Sequence, residues 1–224
     1  MKKPFKISKP KKIIVGLLLL LIIWIATDLF YPVKRNINNI NAEETARMDA
    51  AMWRSYYEKK PLKLFFQSAK LMRKEFRFPF WRSHRVAYYA AKAAFVFKAG
   101  QNRNDYKKAL PYLKRYYNLI NDISATKFNI DSASKTELEW WIVRRDRDQH
   151  PPAEWESWLA ATASVMYHLP VDSFRDYANL RVKAMLLRDE KGNTITEEDW
   201  QKIREILLQA WQSFSNTLKH KRDA

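Results

Sequence analysis

Residues 13–31 read IIVGLLLLLIIWIATDLFY, an apolar run in which Asp28 is the only charged residue. Because about 20 residues of α-helix cross the hydrocarbon core of a bilayer, this run is long enough to span a membrane. Trp24 and Tyr31 stand near its end, where aromatic side chains favour the membrane–water interface. We therefore predict a transmembrane anchor over residues 13–32, with the lipid bilayer as its partner and Asp28 at the interface.

The charges on the two sides of this anchor are unequal. Six lysines and no acid lie within residues 1–12, whereas only Lys34 and Arg35 follow the apolar run closely. Since basic flanks favour the cytoplasm, we predict a basic cytoplasmic tail over residues 1–12 and an extracytoplasmic domain at the cell membrane. The alternative is a cleaved signal peptide, which usually has a shorter apolar core and a small-residue cleavage site.

The remainder of the chain has the composition of one folded domain. Residues 33–42, VKRNINNINA, are polar and predict a linker, and residues 43–224 are long enough to bury a core. Nine Trp, eleven Tyr and twelve Phe argue against a disordered tail. With only three glycines, the chain is poor in the residue that tight turns need, which favours helices over sheets.

Apolar residues recur at helical spacing through residues 43–224, with proline and glycine between the repeats. Proline suits the first turn of a helix and glycine suits its end. These signals predict an all-α fold of about eight amphipathic helices in antiparallel hairpins, packed as a bundle or a short solenoid. The predicted helices cover about 43–57, 61–76, 79–98, 104–121, 132–148, 152–168, 172–188 and 196–218.

One predicted hairpin resembles a known repeat. It has the tetratricopeptide-like residues Ala94, Phe97, Tyr106 and Ala109, over less than a third of the chain and without a regular period of roughly 34 residues. The resemblance implies stacked helical hairpins and no particular function.

The charge of the chain predicts the chemistry of its partners. Net charge is +17; six lysines precede the apolar run and residues 13–42 add one more charge, which leaves +10 for residues 43–224. A basic domain favours acidic proteins, anionic polymers or anionic lipids. Nucleic acid is disfavoured, because the domain is predicted to lie outside the cytoplasm and has no nucleic-acid-binding motif.

Several classes of active site find no support. The chain has no cysteine, which excludes disulfides, thiolate catalysis and zinc–thiolate sites. It also has no phosphate-binding glycine motif and no serine-hydrolase motif. None of its four histidines has metal-ligand spacing to another histidine or follows a Glu-x-x-His pattern. We therefore predict no catalytic residue, no metal and no cofactor, and the sequence assigns no oligomeric state.

The candidate ligand-binding residues are arginines near tryptophan or tyrosine, joined by one histidine and one glutamate. Guanidinium groups bind anions through several donors, and histidine serves as a base or ligand contact. The alternative is structural: the arginines reach solvent over packed tryptophans, and the histidine is a hydrogen-bonded core residue. The candidates are Arg54, Arg82, His84, Glu139, Arg144 and Arg145.

Four tryptophans are candidates for an aromatic surface. Trp140 and Trp141 lie between charged residues on one predicted helix, and Trp155 and Trp158 lie on the next. Such a wall would line a groove for a peptide or glycan. The alternative is an ordinary core beside a helix face whose charges pair with each other, as Glu137 and its neighbours would at helical spacing.

The sequence thus favours a single-pass protein whose helical domain is a non-catalytic interaction or scaffold module for an envelope protein or an anionic polymer. The runner-up is an envelope enzyme or small-anion-binding protein, which requires Arg54, Arg82, His84 and Glu139 to converge in one cleft. Scattered positions would favour a partner surface instead. A third interpretation is a membrane-proximal spacer without a concave surface.

Overall fold

The computed structural model describes residues 9–223, which are all-helical, with 82% of the chain in helices. The predicted fold class is confirmed, and the packing is bundle-like. The helices are α1 (Lys9–Phe30), α2 (Ala42–Tyr57), α3 (Pro61–Glu75), α4 (Phe80–Ala99), α5 (Arg103–Tyr106), α6 (Leu110–Ile123), α7 (Ile130–Arg145), α8 (Pro152–Tyr167), α9 (Arg175–Lys191) and α10 (Glu197–Asp223).

The helix boundaries follow local signals in the sequence. Pro61 and Pro152 occupy the first turns of α3 and α8, where a missing N–H is tolerated. The stretch predicted over 104–121 is divided, because Pro111 lies in the first turn of a new helix, α6. Before α10, the hydroxyl of Thr196 accepts from the amide of Asp199 at 3.2 Å, and the Asp199 carboxylate accepts from the amide of Thr196 at 3.1 Å. This reciprocal pair is a capping box.

Successive helices fold back on one another as hairpins, and α10 closes the bundle by packing on both α9 and α2. The apolar stripe of α10 is covered by these neighbours: Ile203, Leu207 and Leu218 have no exposed surface. An amphipathic helix is marginal in water alone, so this burial holds the C-terminal helix to the start of the domain.

The segment between α1 and α2 is packed against the helices. Ile37 and Ile40 are buried in the main core. The amide of Arg35 donates to the carbonyl of Ile123 at 2.6 Å, and the amide of Ala125 donates back to Arg35 at 2.8 Å. The predicted linker of residues 33–42 therefore follows a fixed path along the end of α6.

Helix α1 stands apart from the other helices and packs mainly on α4. Its residues Pro10–Phe30 are long and apolar enough to cross a membrane, and none of the most apolar stretch is buried by the rest of the chain. Of the predicted basic tail, residues 1–8 lie outside the described residues.

Candidate functional site

The contact between α1 and α4 is built on Asp28, the one acid of the apolar run. Its Oδ1 accepts hydrogen bonds from the backbone amides of Trp81 at 2.9 Å and Arg82 at 3.2 Å. These amides lie in the first turn of α4, where the residue at the cap position, Pro79, offers no side-chain acceptor. Since the first amides of a helix have no partner within it, Asp28 caps α4 from another helix.

Arg82 of α4 in turn donates hydrogen bonds to the end of α1. Its Nε donates to the carbonyl oxygen of Asp28 at 2.6 Å, and its Nη2 donates to the carbonyl oxygen of Tyr31. These acceptors belong to the end of α1, where helical carbonyls lack partners. Burial lowers the pKa of Arg82, while the charge of Asp28 raises it; an arginine remains protonated under such opposing effects. The two helices therefore cap each other.

Aromatic rings surround this junction. The Trp24 ring of α1 lies 5.7 Å from both the Phe80 and the Trp81 rings of α4. His84 continues the cluster: its Nδ1 is 2.8 Å from the carbonyl oxygen of Phe80, and its ring lies 6.2 Å from that of Phe66 on α3. His84 is thus a half-buried member of an aromatic cluster, bonded to its own helix.

Helix α4 presents a second apolar face to the outside. His84, Tyr88, Ala91 and Phe95 follow one another at spacings of three and four residues, which places them on one side of the helix. Tyr88 is 54% exposed and Phe95 is 62% exposed. We call these four residues the α4 outer stripe. Of its members, Tyr88 and Phe95 are more than half exposed, whereas His84 packs against α3.

The remaining polar candidates are engaged in contacts between helices. Arg54 of α2 donates to Glu197 of α10 at 2.8 Å and to Glu58 at 2.7 Å. Glu139 of α7 accepts from Arg103 at 2.6 and 2.8 Å. These pairs are exposed, so each contributes little to stability, but they leave the named groups occupied.

Arg144 and Arg145 lie over aromatic rings. Arg144 pairs with Asp189 at 2.6 Å, and its guanidinium carbon lies 5.0 Å from the Trp155 ring centre. The guanidinium carbon of Arg145 lies 5.6 Å from the ring centre of Phe97, and Arg145 also donates to the backbone carbonyls of Lys98 and Gly100 at the end of α4. Both arginines therefore join α7 to neighbouring helices through cation–π contacts.

The four candidate tryptophans do not form an outer wall. Trp155 is only 2% exposed and its Nε1 donates to the carbonyl of His150 at 3.0 Å. Trp140 and Trp158 are half-buried against the main core. Trp141 donates from Nε1 to Glu137 at 2.9 Å, the contact that helical spacing predicts. Indole rings in this part of the bundle therefore pack against apolar side chains of neighbouring helices.

The candidates for one anion-binding or catalytic cleft are thus distributed over the bundle. Arg54 contacts the start of α10, and Glu139 contacts α5. Arg82 contacts the end of α1, and His84 faces the α3 aromatics instead. None of these four shares a hydrogen-bond partner with another. Among the described residues, no group of three or more histidine, aspartate or glutamate side chains is arranged to hold a metal ion.

A buried polar cluster in the interior has no counterpart in the sequence-based prediction. Asp49 of α2 pairs with Arg181 of α9, and the same carboxylate oxygen accepts from Trp211 Nε1 at 2.9 Å. The Arg181 guanidinium also lies 5.5 Å from the ring of Trp53 and 5.7 Å from that of Tyr177. This arrangement neutralises a buried charge and joins α2, α9 and α10.

Glu137 lies on the neighbouring helix α7, within the electrostatic reach of Arg181. The Tyr117 hydroxyl donates to it at 2.9 Å and the Trp141 indole donates to its other oxygen. Burial raises the pKa of Glu137 above its usual value, and these hydrogen bonds offset part of that rise. The carboxylate is thus held in the interior by neutral donors, which favours a structural role.

No family model matches the chain, and no curated protein or solved structure is similar to it at a significant level.

The raised pKa of Glu137 predicts a pH-dependent contribution to stability. A carboxyl whose pKa is raised on folding binds its proton more tightly in the folded chain, so its contribution is fully present below the unfolded pKa, about 4.5. It is lost as pH rises through the higher folded pKa. We expect Glu137→Gln to remove this loss, so that the variant gains free energy of unfolding relative to the wild type as pH rises above 4.5.

The measurement is the free energy of unfolding of the full chain in detergent, from guanidinium denaturation monitored by circular dichroism at several pH values above 4.5. Glu190→Gln is the matched control, because the Glu190 side chain is 71% exposed. An equal pH dependence in wild type and Glu137→Gln would contradict the role of burial.

Proposed function

We propose that this chain is a single-pass membrane protein whose helical domain acts as a non-catalytic interaction module at the extracytoplasmic surface of the cell membrane. Helix α1 would cross the bilayer with the lysine-rich N-terminus in the cytoplasm. The domain would bind a second envelope protein or an anionic polymer. The length of α1, its exposed apolar side chains and the lysines before it support the assignment of α1 as a transmembrane helix.

The observation that carries the interaction role is the α4 outer stripe. Large exposed aromatic side chains in a row are uncommon on a protein without partners, and they supply much of the binding energy at interfaces. Tyr88 and Phe95 lie on the same helix that is capped by Asp28, so the stripe has a fixed position relative to α1. A rigid surface loses little conformational entropy on binding.

A catalytic role has weaker support. It requires groups that are free to act on a substrate, whereas Arg54, Arg82 and Glu139 hold helices together in three different places. His84 is bonded to its own helix. The charge of +10 over residues 43–224 supports an acidic partner, since long-range attraction raises association rates without a defined pocket.

The orientation can be tested by cysteine labelling, because the chain has no native cysteine. Gln149 is exposed in the turn between α7 and α8, and its side chain has no hydrogen-bond partner in the described structure. We expect Gln149→Cys to react with a membrane-impermeant maleimide in intact cells. Reaction only after lysis would reverse the orientation, and cytoplasmic partners, including nucleic acid, would then become the leading candidates.

The interaction surface can be tested by site-specific photo-crosslinking in cells. A benzoylphenylalanine at Phe95 is expected to form a defined adduct with a partner, because this side chain is exposed on the α4 outer stripe. The same group at Leu186, which is 40% exposed on α9, is the control and is expected to form none. Equal yields at the two positions, or no adduct at Phe95, would contradict this surface.

A further inference from the structure

A cavity of about 230 Å³ opens where α1, α4 and α6 meet, on the side of the junction that holds Arg82. Its walls combine one apolar side from α1 with a polar side from α4 and α6. The residues that matter to its chemistry are Leu29, Phe30, Arg82, Arg85, Arg115 and Asp122.

The polar side of the cavity carries an excess of positive charge. Arg82, Arg85 and Arg115 face one carboxylate, Asp122, which already accepts a hydrogen bond from Asn118 at 3.0 Å. Arg82 is committed to the carbonyls at the end of α1. Within the described part of the chain, the guanidinium groups of Arg85 and Arg115 make neither a hydrogen bond nor an ion pair, and both residues are exposed. Two guanidinium groups without partners are therefore left for an anion, with a third charge beside them.

The position of the cavity along α1 identifies the kind of anion. Residues 13–30, the part of α1 that follows Lys12, form 18 residues of helix, which corresponds to about 27 Å, close to the thickness of the hydrocarbon core. Leu29 and Phe30 are in the last turn of that helix and form the apolar wall. The cavity thus begins where the hydrocarbon ends, at the level of the phosphates of a bilayer.

The apolar surroundings match the rest of a lipid molecule. Phe30 is 76% exposed, and the α1 side chains from Leu17 to Ile23 are exposed as well. On the far side of the junction, the Trp24 ring of α1 packs against the Phe80 ring of α4 at 5.7 Å. A phosphate in the cavity can therefore be joined to acyl chains that lie along α1.

We propose that this cavity binds the phosphate of an anionic phospholipid, with Arg85 and Arg115 as donors to its oxygens and Arg82 as a fixed neighbouring charge. Charge-assisted hydrogen bonds from two arginines hold a phosphate at defined oxygens. The acyl chains pack on Leu29 and Phe30. This inference rests on the proposed membrane insertion of α1. A free phosphate ion offers the same oxygens but gains nothing from the apolar wall.

The test uses the full chain in detergent micelles and native mass spectrometry, which counts the lipids retained by the protein. Dioctanoyl phosphatidylglycerol is the probe, and dioctanoyl phosphatidylcholine is its zwitterionic comparison. We expect the double variant Arg85→Gln/Arg115→Gln to bind phosphatidylglycerol at least about tenfold more weakly, because two charge-assisted hydrogen bonds are lost. The matched control is Lys183→Gln/Lys202→Gln, which removes two exposed charges on α9 and α10.

The outcomes are separable. Equal retention of phosphatidylglycerol by the Arg85/Arg115 double variant and the wild type, at unchanged thermal midpoints, would overturn the site. Displacement of the lipid by millimolar inorganic phosphate would assign the cavity to a free ion and overturn the lipid source. Alkaline carbonate extraction of cell membranes tests the proposed function by itself. If the chain stays in the membrane but shows no lipid preference, only the proposed lipid site is refuted. If the chain is extracted, the proposed membrane insertion of α1 is refuted.

Discussion

The exchange of hydrogen bonds between Asp28 and Arg82 is the interaction on which the arrangement of this protein depends. Each residue satisfies the free backbone groups at the end of the other residue's helix, so two caps and one pair of opposite charges occupy the same small volume. A single side-chain cap contributes about 1 kcal/mol. Beside apolar surface the loss is larger, because an unpartnered buried charge is strongly unfavourable. Removing the Asp28 side chain leaves the first amides of α4 without this acceptor, and removing the Arg82 side chain leaves the carbonyls at the end of α1 without this donor. Either change also leaves one charge without its opposite.

This junction gives the proposed membrane helix a fixed direction relative to the domain. The chain after α1 adds to it, since Ile37 and Ile40 are buried in the core and Arg35 pairs with the end of α6. Consequently the domain is attached to α1 twice, by hydrogen bonds at α4 and by apolar burial along the following segment. A flexible tether would allow every surface to meet the bilayer, whereas this attachment selects the surface around α4.

The two features proposed as functional, the α4 outer stripe and the arginine-lined cavity, both lie beside the junction of α1 and α4. The α4 outer stripe begins near the junction and continues along α4, so the exposed Tyr88 and Phe95 share the position that the junction gives to that helix. The arginine-lined cavity lies on another side of the same junction, next to Leu29 and Phe30. The interior cluster of Asp49, Arg181 and Trp211 joins α2, α9 and α10 at a distance from this junction.

Local sequence signals predict the helices because their causes are local. Proline in a first turn and the Thr196–Asp199 capping box act within a few residues, and the structure contains both. Contacts between distant residues have no such signal: Arg82 and Asp28 are 54 positions apart, and Arg181 and Asp49 are 132 apart. An acid at the end of an apolar run does require a partner, but its sequence position cannot identify which arginine provides it.

The α4 helix shows a second limit of prediction. It is apolar on opposite sides, with Val86, Ala87 and Ala93 on one and the outer stripe on the other. Periodicity identifies both sides as apolar and cannot choose the one that is buried. The small alanines allow close approach of neighbouring helices, so they face the core, while the larger rings remain outside. Similarly, the tryptophan pairs gave no indication that Trp155 would be enclosed.

If the Asp28–Arg82 exchange makes α1 and the domain one rigid unit, the distance between them should be fixed. Pulsed electron spin measurements between labels at Leu20→Cys and Lys183→Cys, both exposed positions, test this in nanodiscs. We expect a single narrow distance distribution that broadens when Arg82→Gln is added. A broad distribution with Arg82 intact, or a narrow one that Arg82→Gln leaves unchanged, would contradict it.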